Sequence, residues 1–204
     1  MPWGLVRAII LLPGTVLVLI PALILKISGG ALITNELTLI NLLRFWLGLV
    51  SAAAGGGLML WTVTLFTRHG QGTPAPWEPP RKLVIRGPYR HVRNPMISGV
   101  LLLLAGEALL LGSWPLLIWM GIFFLSNAVY FPLVEEKGLA LRFGPAYREY
   151  QRQVPRWVPR RRPWSPESLS PLDDLGSIDP ASNRYHPGAT ANRMKNWETS
   201  GHDR

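Results

Sequence analysis

The amino-acid sequence predicts an all-α, polytopic membrane protein with about four transmembrane helices, and three observations carry that expectation. Apolar residues are gathered into long blocks, nearly all before position 135, whereas the C-terminal stretch is polar. Charged residues make up 16% of the chain, against about 25% in an ordinary soluble domain. Of 21 Lys and Arg residues, six fall between Arg68 and Arg93 and twelve follow from Lys137 onward, the distribution that the positive-inside rule produces.

The same distribution excludes nucleic acid as a partner despite the net charge of +9, because no basic helix with interleaved stacking aromatics is present. The chain has no cysteine, which removes disulfides, a thiol nucleophile and cysteine-ligated metal. His69 and His91 have no metal-ligand spacing with each other or with the carboxylates, and His186 and His202 lie in the tail. No metal is expected. Neither a Ser/His/Asp arrangement nor a Walker-type phosphate loop is present.

The first span is expected at 5–27, apolar apart from Arg7 and Lys26 and long enough for about 30 Å of hydrocarbon. It is read as a retained span, since no small-x-small cleavage site follows. The second is expected at 40–66, with Arg44 near its start able to snorkel outward. Within it, Ser51-Ala52-Ala53-Ala54-Gly55-Gly56-Gly57 is unusually thin, which suits close helix packing or a cofactor groove. Residues 67–93 form a polar connection in which Pro74, Pro76, Pro79 and Pro80 rule out a continuous helix. The apolar block 95–132 is too long for one span, and Gly112-Ser113-Trp114-Pro115 breaks it into spans at 95–112 and 114–134. Glu107 falls inside the third span, where a structural role is expected, with Arg44 or Lys26 as cations at matching depth.

Charge places the 67–93 connection and everything after the fourth span in the cytoplasm, so both termini are expected there. Residues 133–154 read as an amphipathic helix on the membrane surface, interrupted at Gly144-Pro145. Tyr147, Tyr150 and Val154 share one of its faces. The chain thus divides into a membrane domain, 1–162, and a disordered tail, 163–204, rich in Pro, Ser, Asp and Gly.

Two polar stretches stand out beside the apolar blocks. Asn94-Pro95 carries an N-cap residue followed by a first-turn proline. A helix N-terminus there would offer free N–H groups to a carboxylate or to ribose hydroxyls. Glu135-Glu136 lies where the fourth span ends. It reads either as solvated charge beside Lys137 and Arg142, or as a site whose mutual repulsion a cationic ligand would relieve.

The run Lys82-Leu83-Val84-Ile85-Arg86-Gly87-Pro88-Tyr89-Arg90-His91-Val92-Arg93-Asn94-Pro95, the apolar hairpin, Glu135-Glu136, Phe143-Gly144-Pro145-Ala146-Tyr147-Arg148-Glu149-Tyr150 and Val154-Pro155-Arg156 together resemble the isoprenylcysteine carboxyl methyltransferase family. Phospholipid N-methyltransferases share the general pattern. The resemblance covers residues 81–159.

It implies a metal-free membrane enzyme that takes S-adenosylmethionine as cofactor and methylates a lipid or lipidated acceptor such as a prenylcysteine carboxylate. The alternatives are a phospholipid or small-lipid N-methyltransferase, and an inactive membrane scaffold of the same fold. Location would be the endoplasmic reticulum membrane in a eukaryote or the cell membrane in a bacterium. By resemblance, Arg81, Lys82, Leu83, Val84, Tyr89, Asn94, Pro95, Met96 and Ile97 contact the cofactor. Glu135 takes the catalytic role on the acceptor side, and Glu136 joins the cofactor side. Asn94 and Ile97 stand where the family usually has histidine and tyrosine, and Phe131 where carboxyl methyltransferases carry an arginine.

Overall fold

The computed structural model describes residues 13–29, 38–70 and 83–165, and all regular structure among them is helical. A π-helical turn, Thr15–Leu19, runs into α1, Ile20–Ile27. Next come α2, Leu39–Leu65, and a second π turn, Phe66–Gly70. A 3₁₀ turn, Gly87–Arg90, precedes α3, Pro95–Leu111. Then α4, Trp114–Tyr130, passes through a third π turn, Phe131–Glu135, into α5, Glu136–Gln153. Residues 5–12 of the first expected span, Pro74, Pro76, Pro79 and Pro80 of the 67–93 connection and the tail from residue 166 lie outside the described residues.

The boundaries follow from local chemistry. Thr38 starts α2 with extended backbone, and its Oγ1 accepts a hydrogen bond from the Asn41 N–H at 3.3 Å. Gly112 ends α3 in the left-handed conformation (φ 60°, ψ 30°). The N–H groups of Ser113 and Gly112 return to the carbonyls of Ala108 (3.0 Å) and Leu109 (3.3 Å). That pair of bonds is a Schellman stop, and Pro115 opens the next helix, so the expected hairpin forms at the expected residues. The predicted break at Gly144-Pro145 is a kink inside α5, where Gly144 adopts φ 55°, ψ −132°, backbone that only glycine adopts readily.

Two helical stretches, Leu39–His69 and Trp114–Gln153, are long and apolar enough to cross a bilayer. Their apolar side chains face outward: Trp46, Leu60, Leu125 and Val129 are all more than half exposed, a surface that water does not tolerate in large contiguous areas. Of the four expected spans these two reach full length. Helix α3 and the Thr15–Ile27 segment are apolar but shorter.

The tightest packing joins α2 to α3, and the thin stretch seen in the sequence makes it. A Cβ on Gly55 would stand 2.6 Å from the Gly99 carbonyl oxygen and 2.7 Å from the Leu103 nitrogen. At Gly106 it would meet Ala52 at 2.8 Å. Ser51 Oγ crosses the same seam to donate to the Leu102 carbonyl at 2.7 Å. The two backbones are in direct contact, so this stretch is helix packing. Helix α4 carries Trp119, whose indole N–H donates to the Val16 carbonyl at 3.2 Å and ties the N-terminal helix to the hairpin.

The shared face of α5 is present, but protein covers it. Tyr147, Tyr150 and Val154 are buried, with Leu83, Ile85, Leu139, Phe143 and Trp164 packed against them. The expectation that this face lies on lipid is therefore corrected, because the chain entering α3 and the chain leaving α5 supply enough apolar surface to bury it.

Substituting Gly55→Val should destabilise the protein by roughly 2 kcal/mol or more, since overpacking against backbone has no easy relief. Gly57→Ala, where an added Cβ meets nothing within 4 Å, should be neutral or slightly stabilising. Unfolding midpoints of the two variants in detergent micelles check both.

Candidate active site

Polar chemistry collects where the chain entering α3 meets the junction of α4 and α5. Gly87 takes φ +53°, and a Cβ there would come within 3.1 Å of the Trp61 and Leu65 side chains. That residue lets the 3₁₀ turn lie against α2. Tyr89 is buried in the turn, its ring edge-on to Phe66 with centroids 5.4 Å apart. Its carbonyl accepts the Tyr150 hydroxyl at 2.7 Å. Val84 is buried, and Leu83 packs beside the Tyr147–Tyr150 cluster. Pro95 is buried, and Met96 and Ile97 are half-buried in the first turn of α3. Arg81 and Lys82 lie outside the described residues.

On the opposite side, Pro132 has no N–H to give to the helix. The chain widens into the third π turn, closed by the Glu136 N–H donating to the Phe131 carbonyl five residues back. Consecutive helical side chains point about 100° apart, so Glu135 and Glu136 leave this turn into different surroundings.

Glu136 turns inward. Its Oε1 accepts from Arg93 Nη1 and from Arg156 Nε, both at 2.8 Å. Its Oε2 accepts from Arg156 Nη2 at 2.9 Å and from Gln151 Nε2 at 3.0 Å. Burial alone would raise its pKa, but the hydrogen bonds and charges of Arg156 and Arg93 outweigh that and hold it below the ordinary carboxylate value. The sequence led us to expect an external cation, or Lys137 and Arg142, to relieve the glutamate pair. For Glu136 the relief comes from the protein's own Arg93 and Arg156.

Glu135 is half-buried and makes no ion pair among the described residues. Burial, and then the Glu136 charge, push its pKa up to about 7. Tyr89 and Tyr147 have phenols raised chiefly by burial, and the Glu135 charge contributes to both. The structure thus brings Glu135, Tyr89 and Tyr147 into one electrostatic neighbourhood.

Asn94 does not cap α3 through its side chain. Its backbone sits at φ −115°, ψ 54°, away from the extended conformation a capping side chain needs. Its carbonyl accepts the first helical bond, from the Ser98 N–H (3.1 Å), and also the Ser98 Oγ (3.0 Å). Asn94 Nδ2 and Arg93 Nε are left buried without an acceptor among the described residues. Two orphan donors therefore stand at the N-terminus of a 17-residue helix, an arrangement complementary to a ligand rich in acceptor oxygens. Glu107, by contrast, forms no ion pair with Arg44 or Lys26 among the described residues.

Sequence reasoning missed Arg93, Gln151 and Arg156 as partners of Glu136, and the Tyr150 hydroxyl as the link to Tyr89. Arg156 stood inside the quoted Val154-Pro155-Arg156 stretch. An apolar-flanked glutamate in need of a cation was the available signal.

The described residues thus form helices with lipid-compatible outer faces and gather a polar cluster at the junction of α4 and α5. Comparison with known families narrows this: the phospholipid methyltransferase family model matches residues 43–146, just over half of the chain, and the protein belongs to that family. Methyl transfer to lipid-like acceptors is the family's activity. No curated protein and no solved structure matches the chain. The matched region includes Tyr89, Asn94 and both glutamates, but not Arg156.

Glu136→Gln should cost roughly 3 kcal/mol, because it leaves Arg93 and Arg156 without their counter-charge. The depressed pKa of Glu136 gives a stabilisation that is present above about pH 4.5 and lost as pH falls through the folded-state pKa. The stability gap between wild type and variant should therefore close on acidification below that pH, measured by chemical unfolding in micelles.

Proposed function

We propose that this protein transfers a methyl group from S-adenosylmethionine to an amine on a lipid-like acceptor, at the cytoplasmic surface of a membrane that it crosses four times. The observation that carries this reading is the state of Glu135, a half-buried carboxylate without an ion-pair partner among the described residues, one turn beyond an aromatic cluster. Phe131 and Phe124 both hold the Trp157 ring, at centroid distances of 6.1 and 5.3 Å. Aromatic faces and a carboxylate attract an alkylammonium. They offer nothing to a carboxylate acceptor such as that of a prenylcysteine, for which an arginine at position 131 would be the natural clamp.

The residues at the entrance to α3 fit the cofactor. Asn94 Nδ2, Arg93 Nε and the free N–H groups of the first turn of α3 are donors in search of acceptors, and the cofactor carries a carboxylate and ribose hydroxyls. Leu83, Val84, Pro95, Met96 and Ile97 supply apolar surface beside them, Tyr89 adds its phenol, and Arg81 and Lys82 lead into the same segment. Bound there, S-adenosylmethionine supplies an electrophilic methyl group on a sulfonium centre. An ammonium must lose its proton before its nitrogen can attack. Glu135, with a pKa near 7, is matched to accept that proton at neutral pH. Glu136, already saturated with hydrogen bonds, fixes the loop and the helix start on either side.

Incubating purified protein with methyl-labelled cofactor and fractionated lipids or prenylated peptides tests the reading. Label should enter an amine-bearing lipid, and its absence from every fraction would leave a binding scaffold instead. Glu135→Gln should lower turnover by about a hundredfold or more with cofactor affinity retained. Wild-type turnover should rise with pH through about 7 as Glu135 ionises, and the variant should lose that step. Asn94→Ala should weaken cofactor binding about tenfold, the worth of one hydrogen bond to a charged group, read by calorimetric titration.

A further inference from the structure

We propose that residues 154–165 form a docking surface for anionic lipid headgroups, a reading that stands independently of the methyl-transfer proposal. After α5 the chain turns back at the fully buried Val154 and runs as a strap along the loop before α3. Main-chain bonds fix its course. The Arg93 N–H donates to the Pro155 carbonyl at 2.9 Å, the Arg160 N–H to that of His91 at 3.0 Å and the Trp164 N–H to that of Arg90 at 3.0 Å. Arg90 Nε returns to the Trp164 carbonyl at 2.8 Å.

The inner side of the strap is fully engaged. Arg156 holds Glu136, and Trp157 packs on Phe124 and Phe131. Those rings place the strap beside the end of α4, where Val129, Leu133 and Val134 are each more than half exposed. The outer side is different. Val158 is 74% exposed. Arg161 and Arg162 are also exposed and form no ion pair among the described residues.

An aromatic anchor, an outward valine and two exposed guanidiniums thus lie at the level where an apolar helical flank ends. That is the composition of a phospholipid interface, with tryptophan at headgroup depth and guanidinium matched to phosphate oxygens. The exposed valine and the apolar flank select a lipid over a soluble phosphate, because only the lipid brings hydrocarbon with its charge. Each basic residue at such a surface is worth roughly fivefold in enrichment of anionic lipid.

The chain has no cysteine, so Val158→Cys offers a single position for an environment-sensitive fluorophore in the full-length protein. In nanodiscs of phosphatidylcholine mixed with phosphatidylglycerol, the label should shift to the blue and be quenched by a headgroup-borne quencher. High salt should reverse both effects, and Arg161→Gln with Arg162→Gln should abolish them. Equal signals in purely phosphatidylcholine discs, persistence in the double variant, or reproduction by inorganic phosphate in neutral discs would each overturn the proposal. Native mass spectrometry of unlabelled protein gives a second reading. Preference for phosphatidylglycerol should fall at least about fivefold in the double variant, and an unchanged preference sinks the idea.

Discussion

The Glu136 carboxylate is the point at which the separate parts of the polar end are joined. Four hydrogen bonds reach it from Arg93 before α3, Gln151 within α5 and Arg156 after α5, while its own backbone closes the π turn after α4. A buried carboxylate is unfavourable alone, and an unpaired buried arginine is no better. Each therefore requires the others, and the requirement is geometric as well as energetic. The fork of Arg156 fits both oxygens at once, which sets the direction in which the strap leaves α5. Everything placed at this end, including Glu135 and the entrance to α3, inherits its position from that one cluster.

The division of labour between the adjacent glutamates follows. Glu136 is saturated, and its charge is held firmly ionised. Glu135, one residue earlier, has burial and a neighbouring negative charge but no ion-pair partner among the described residues, and its pKa is pushed up to about 7. Under the proposed function, environments that push two carboxylates apart in this way would separate a structural role for Glu136 from a chemical one for Glu135.

Much of the fold was legible in the sequence because its signals are local. Gly112, Pro115, Gly144 and the Ser51-to-Gly57 stretch each announce a turn, a kink or a close approach through the conformational freedom or size of one or two residues. That the two polar stretches meet was legible in the sequence, but their wiring was not. That Arg156 would reach back twenty residues to Glu136, or that Tyr150 would find the Tyr89 carbonyl, depends on how the kinked α5 folds over the loop, and no local rule encodes it. Asn94 shows the opposite failure. The N-cap rule is sound for side chains on extended backbone, but Asn94 sits at φ −115°, ψ 54°, and its side chain makes no capping bond. The π turns were not foreseen either, although Pro132, with no donor to offer, was a legible hint for the one that matters most.

The seam between α2 and α3 has a consequence for traffic within the membrane. Where Gly55 faces Gly99 there is not room for a single added carbon, so no acyl chain can thread between these helices. The pair acts as a closed wall on one flank of the bundle. Under the proposed function, a hydrocarbon tail bound for the Glu135 end would come in along another side, its direction of approach limited by glycines that never touch it.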